Sequence, residues 1–156
     1  TQWSLVDIES RKILRVDEAD FTNYWHGEYR ELIHGKFKVS KDTKETLETV
    51  GIKEVQYSDL DYNGHMNNTY YMDVLCNYIP ELAAGTHRVC FVRVHYSKEA
   101  PLGDKLQILR SPVILLDDDQ REIYGEKGER KYVFQTIKAD GELNIQGEFI
   151  LCPVKR

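Results

Sequence analysis

The spacing of apolar residues after position 51 predicts one helix and several long strands. Within residues 67–79, apolar side chains recur every three or four positions, which is the helical period, and Pro80 should end the helix. The apolar stripe consists of Tyr71, Val74, Leu75 and Tyr78. Residues 53–58 alternate like a strand, and further strands are predicted at residues 87–97, 105–116, 130–139 and 142–151. A sheet that wraps one helix is an α+β fold.

The first 50 residues carry weaker signals. Residues 1–16 alternate like a strand that ends in a charged turn, a short helix is predicted over residues 20–32, and residues 36–49 are charge-rich like a linker. We therefore expect two parts, with the end of an upstream domain and a linker in residues 1–50 and a separate domain in residues 51–156.

Composition narrows the class of partner. The chain has 21 Lys and Arg against 26 Asp and Glu, and this negative balance argues against binding to nucleic acid. The longest apolar run, at residues 112–116, is too short to span a membrane, and no targeting segment opens the chain. A soluble, cytoplasmic protein is expected. Its three scattered cysteines match no disulfide framework or zinc spacing, so we expect reduced thiols.

Polar side chains concentrate in residues 57–68, at the predicted turn between strand and helix. One interpretation is that they only cap the helix and close the turn, but capping explains one or two such residues and not a histidine as well. A calcium loop is a second interpretation. It fails because Tyr70 stands where an EF-hand requires a bidentate glutamate, and because a strand precedes the loop.

The third interpretation is a catalytic turn. Asp61, Asn63 and His65 supply a carboxylate, an amide and an imidazole, which can transfer protons and position reacting groups. They precede a helix whose first N–H groups lack helical partners and so favour a developing oxyanion.

Residues 58–68 resemble the Asp-x-Asn-x-His-x-Asn-Asn signature of acyl-ACP thioesterases. Residues 1–3 with residues 10–11 resemble the last strand and turn of that family's N-terminal hot-dog, and residues 94–99 resemble a later strand that ends in a second site carboxylate. The resemblance implies a hot-dog fold, with residues 51–156 as its C-terminal hot-dog domain and residues 1–50 as the last strand of the upstream one plus the linker.

The resemblance also implies a site of Asp61, Asn63, His65 and Glu99, without metal or cofactor. Ala100 stands where many plant members have a cysteine, so a thiol nucleophile is not expected. Asp61 would attack the acyl carbon or activate water, Asn63 and His65 would position the reacting groups, and Glu99 would orient water or act as base.

The implied function is hydrolysis of fatty acyl-acyl carrier protein, which releases free fatty acid in fatty acid biosynthesis. The expected partners are acyl carrier protein and another hot-dog, either the protein's own N-terminal half or a second copy. Two alternatives remain open, namely an acyl-CoA thioesterase and a non-catalytic half that only pairs with a partner domain.

Overall fold

The computed structural model describes residues 5–7, 9–10, 12–14, 46–118, 121 and 128–154, and it divides into two units at residues 36 and 37. In the first unit, β1 (Leu5–Val6) pairs antiparallel with β2 (Ile13–Leu14). The turn between them is closed by the Asp7 carboxylate, which accepts a hydrogen bond from the Ser10 amide at 2.7 Å. The predicted helix over residues 20–32 and most of the predicted linker lie outside the described residues.

The second unit is an antiparallel sheet packed on one main helix. Its strands are β3 (Glu48–Glu54), β4 (His87–Tyr96), β5 (Lys105–Arg110), β6 (Ile114–Leu115), β7 (Arg130–Ile137) and β8 (Leu143–Pro153). The order across the sheet is β3-β5-β7-β8-β4, and β6 pairs with β7. The main helix is α1 (Asn68–Cys76). This is the α+β hot-dog architecture that the sequence predicts.

Several boundaries differ from the predicted ones for local reasons. The first helix ends at Cys76, before Pro80 is reached, and Pro80 instead begins a short second helix, α2 (Pro80–Ala83), where its missing N–H costs nothing. The predicted strand over residues 105–116 is interrupted around Pro112, which cannot donate to a sheet. Residues 57–59 form a 3₁₀ turn instead of continuing a strand.

The apolar stripe of α1 faces the sheet, as its spacing predicts. Tyr71 and Leu75 are buried, while Val74 and Tyr78 pack partly buried against the same core. The sheet contributes Phe134 and Phe149, among others, whose rings meet edge to face at 5.3 Å. Truncating a fully buried leucine such as Leu75 to alanine typically costs about 2–5 kcal/mol. No helix in the described part of the chain is long and apolar enough to cross a membrane.

A β-bulge sits near the start of β4. Val89 pairs with Leu151 and Phe91 pairs with Ile150, so Cys90 is an extra residue on β4. Cys90 forms a disulfide with Cys152 of β8, with their Cα atoms 5.8 Å apart, whereas Cys76 is free. The expectation that all three cysteines are reduced thiols is therefore wrong for this pair.

A buried polar cluster lies beside α2. The Glu81 carboxylate accepts hydrogen bonds from the Tyr132 hydroxyl at 3.1 and 2.9 Å and from Arg130 at 2.9 Å. Burial alone would raise the pKa of Glu81, but these donors outweigh burial and hold it below its usual value. Burial and the neighbouring Glu81 raise the pKa of Tyr132 to about 12.

Candidate active site

Asp59 holds the start of the polar turn in shape. Its carboxylate accepts the Gln56 amide at 2.7 Å and pairs with the Lys53 ammonium at 2.6 Å. Burial would raise the pKa of Asp59, but these two partners lower it overall. The carboxylate at the first position of the supposed calcium loop is thus already neutralised by a lysine, which further weakens that interpretation.

Asp61 organises residues 61–65 into a tight loop. Its backbone amide donates to the His65 carbonyl at 2.9 Å, and its Oδ1 atom accepts the Asn63 amide at 2.9 Å. Gly64 closes the loop with φ at 80°, the left-handed region that side chains other than glycine rarely enter. The motif spacing therefore brings Asp61, Asn63 and His65 to one side of a single turn.

Glu99 reaches this turn from another part of the chain. The Met66 amide donates to the Ala100 carbonyl at 2.8 Å, and His65 forms a β-bridge with Pro101. These backbone contacts place His65 Nε2 3.3 Å from Glu99 Oε2. Because the Glu99 side chain is 76% exposed, the pair contributes little to stability.

All four predicted site residues line one cleft of about 390 Å³, a size typical of small-molecule sites. The lining residues are Asp61, Asn63, His65, Met66, Asn68, Tyr71, Tyr96, Ser97, Lys98 and Glu99. The cleft thus joins the motif turn, the start of α1 and the segment after β4. The catalytic roles of the four residues remain predictions.

The two asparagines at the start of α1 differ in what they contact. Asn67 is a cap, because its side chain accepts the Thr69 amide at 3.0 Å and its carbonyl accepts the Tyr70 amide at 3.0 Å. Asn68 occupies the first helical position, where an amide has no acceptor within the helix, and it lines the cleft. The capping interpretation is right for Asn67, and Asn68 retains an amide suited to an oxyanion.

Sequence reasoning missed the wall of the cleft opposite the motif. Tyr71 belongs to the sheet-facing stripe, yet it also lines the cleft and meets Tyr96 edge to face at 5.9 Å. Burial raises the pKa of both phenols, so each stays neutral at ordinary pH. Ser97 and Lys98 lie beside them. In the sequence, only their position just before Glu99 could have indicated that Ser97 and Lys98 line the cleft.

A family model described as the acyl-ACP thioesterase C-terminal domain matches residues 40–148. The chain belongs to the acyl-ACP thioesterase family. No curated protein matches the sequence.

Solved structures of this and related families share the fold. An acyl-ACP thioesterase from Bacteroides thetaiotaomicron is 18% identical, with a TM-score of 0.64 over 94% of this chain and 52% of that one. A protein described as an oleoyl thioesterase from Lactobacillus plantarum is also 18% identical, with a TM-score of 0.67 over 97% of this chain and 55% of that one. The chain thus spans about half the length of these two relatives.

Smaller thioesterases match as well. A Thermus thermophilus thioesterase in complex with coenzyme A and zinc is 20% identical, with a TM-score of 0.51 over 71% of this chain and 82% of that one. At such identities the likenesses bear on the fold, and they confirm the hot-dog architecture.

Proposed function

We propose that this domain carries the catalytic residues of an enzyme that hydrolyses fatty acyl-acyl carrier protein and releases the free fatty acid. The observation that carries the proposal is the contact between His65 and Glu99, which joins two distant segments at the cleft that Asp61 and Asn63 also line. A structural turn needs no such convergence of two carboxylates, an amide and an imidazole.

The reaction consumes one water and breaks the bond between the acyl carbon and sulfur. Oxygen adds to the acyl carbon, the carbonyl oxygen becomes an oxyanion, and collapse of this intermediate expels the thiol. The Asn68 amide is placed to donate to the oxyanion, and losing one such donor typically costs about 10²–10³ in rate. His65 gives a proton to the departing sulfur, while the Glu99 carboxylate orients the imidazole and stabilises its positive charge.

Asp61 serves this chemistry in one of two ways. Either it accepts the proton of the attacking water, or it attacks the acyl carbon itself and forms a mixed anhydride that water then opens. Turnover in heavy-oxygen water separates the two. Heavy oxygen in the Asp61 peptide, or a hydroxamate formed there with hydroxylamine, identifies attack by Asp61. Label in the fatty acid alone, without a hydroxamate, identifies direct attack by water.

The experiment that tests the function compares carriers with one acyl chain. We expect a higher kcat/KM for acyl-acyl carrier protein than for the matching acyl-CoA across a series of chain lengths. The family match supports the protein carrier. The coenzyme A in the Thermus thermophilus structure supports the rival acyl-CoA thioesterase, which a reversed preference would establish. If neither carrier is turned over, the remaining alternative is a non-catalytic hot-dog half that only pairs with a partner domain.

We also propose that the domain pairs with a second hot-dog, either an N-terminal half of the same protein or another copy. The support is that this chain spans only about half the length of the two relatives. Sedimentation of the 156-residue chain should show a dimer at micromolar concentration. A fully active monomer would contradict the pairing.

A further inference from the structure

A buried carboxamide connects the three elements that meet behind the cleft. Asn144, in β8, is fully buried. Its side-chain nitrogen donates to the Lys98 carbonyl at 2.6 Å and to the Tyr71 hydroxyl at 3.1 Å, and its side-chain oxygen accepts the Thr136 hydroxyl at 2.7 Å. One side chain therefore contacts the segment before Glu99, helix α1 and strand β7.

The backbone of Asn144 holds the same segment. Its carbonyl accepts the Ser97 amide at 2.8 Å and the Lys98 amide at 3.1 Å, just where β4 ends. The peptide of Lys98 is thus fixed from both sides, through its N–H by the Asn144 carbonyl and through its C=O by the Asn144 side chain. Lys98 directly precedes Glu99, so this clamp sets the direction in which the chain enters Glu99.

The Glu99 side chain needs such support from its backbone. It is largely exposed, and His65 is its partner in the cleft. The Glu99 carbonyl accepts the Lys138 ammonium at 3.1 Å, and Lys138 is itself paired with Asp104 at 2.9 Å. The carboxylate therefore meets His65 because the backbone before and after it is held, and not because its own side chain is packed.

Core stability does not by itself call for an asparagine here. A buried amide contributes only when every donor and acceptor is satisfied, and an apolar residue of similar size avoids that requirement. A fully satisfied buried polar group specifies one arrangement of the elements that it joins. We propose that Asn144 is a positioning residue, which sets Glu99 against His65 and aims the Tyr71 hydroxyl at the cleft. This inference rests on the proposed function.

The Tyr71 hydroxyl gains its direction from the same contact. Its oxygen accepts a hydrogen bond from the Asn144 side-chain nitrogen, and among the described residues no acceptor for the hydroxyl proton is seen. Because Tyr71 lines the cleft and stays neutral, its proton is left to donate to a group bound there. Losing the Asn144 carboxamide would remove the hydrogen bonds that hold the Tyr71 hydroxyl and the Lys98 carbonyl.

The test is a set of variants whose steady-state kinetics are measured on the thioester substrate. Asn144→Leu keeps the number and branching of the side-chain heavy atoms and removes the hydrogen bonds of the side chain, and we expect kcat to fall about 10–100-fold with KM within about threefold. Ser111→Ala is the matched control, since its buried hydroxyl accepts the Val133 amide at 3.0 Å and lies outside the cleft lining. It should leave kcat unchanged while lowering the melting temperature.

A double-mutant cycle with Glu99→Gln separates positioning from general damage. If Asn144 acts through Glu99, Asn144→Leu should cost less than about threefold in the Glu99→Gln background. An equal loss in both backgrounds, or no loss in the wild-type background, would overturn the proposal. If Asn144→Leu does not fold, Thr136→Val decides, because it removes the hydrogen bond to the amide oxygen, together with a longer one from the Ile145 amide at 3.3 Å, and should lower kcat several-fold.

These outcomes are separate from failure of the function itself. A wild-type enzyme that hydrolyses neither acyl-acyl carrier protein nor acyl-CoA refutes the proposed function. An active wild type whose kcat is insensitive to both Asn144→Leu and Thr136→Val refutes the positioning role alone.

Discussion

The amide of Met66 donates a hydrogen bond to the carbonyl oxygen of Ala100 over 2.8 Å. Each of these residues directly follows a predicted site residue, His65 in one case and Glu99 in the other. A single backbone contact therefore brings the motif turn to the segment after β4, and the imidazole and the carboxylate meet as a result.

Glu99→Gln tests whether that meeting matters to the reaction. The substitution keeps the size of the side chain and removes its charge, so we expect kcat to fall about 10²-fold. The melting temperature should stay within about 1 °C, because an exposed pair adds little stability. Glu142→Gln is the control, since Glu142 pairs with Lys98 at 3.2 Å on the surface. Equal activity of the two variants would remove Glu99 from the site.

Asp61→Asn and Asp59→Asn should have opposite effects although both lie in one turn. The amide in Asp61→Asn can still accept the Asn63 amide, so the loop should persist while kcat falls about 10²–10³-fold. Asp59→Asn loses its charge pair with Lys53 and should cost about 1 kcal/mol in unfolding free energy with kcat within about threefold. Kinetics and urea unfolding of both proteins check this. A reversed pattern would exchange the roles of the two aspartates.

Thiol reagents should not inactivate the enzyme. Ala100 is buried and offers no sulfur, and Cys90 and Cys152 are paired. Burial, together with the charge of Asp73, raises the pKa of Cys76, so little thiolate forms at neutral pH. Iodoacetamide should leave kcat within about twofold, and Cys76→Ser should abolish any residual effect. Fast stoichiometric inactivation that substrate prevents would instead require a catalytic thiol.

Glu81 should make stability depend on pH in a defined direction. Its pKa in the folded protein lies below its usual value, so its contribution is present above that value and is lost as pH falls through the folded pKa. Glu81→Gln should therefore be less stable than wild type by about 1–3 kcal/mol at pH 7, and the gap should shrink below about pH 4. Urea unfolding at both pH values measures the gap. If the difference in unfolding free energy is the same at both pH values, the charge of Glu81 does not contribute to stability.

Tyr132 adds a second titration at high pH. Its pKa is raised to about 12, so the folded protein keeps its proton where the unfolded chain loses it. Its contribution is intact below the ordinary tyrosine pKa of about 10 and is lost as pH rises towards 12. Tyr132→Phe should flatten this alkaline decline.

The sequence predicted those parts of the fold that depend on short stretches of chain. The stripe from Tyr71 to Leu75 has the spacing of a helix packed on one face, and the polar motif falls at the turn before it. The contact of His65 with Glu99 depended on the resemblance, because an exposed glutamate at a strand end is usually only surface. Asn144 gave no signal, since its partners are distant in sequence and its burial depends on the register of three elements.

The bulge at Cys90 determines which residue arrives at the cleft. One extra position on β4 sets the pairing of every later residue on that strand, down to Ser97 beside Asn144. Deleting it would advance the strand by one residue and turn each following side chain to the opposite face. Glu99 would then no longer follow the peptide that Asn144 clamps. The length of β4 is thus under the same constraint as the polar motif of residues 57–68, and insertions or deletions there should be tolerated far less than substitutions.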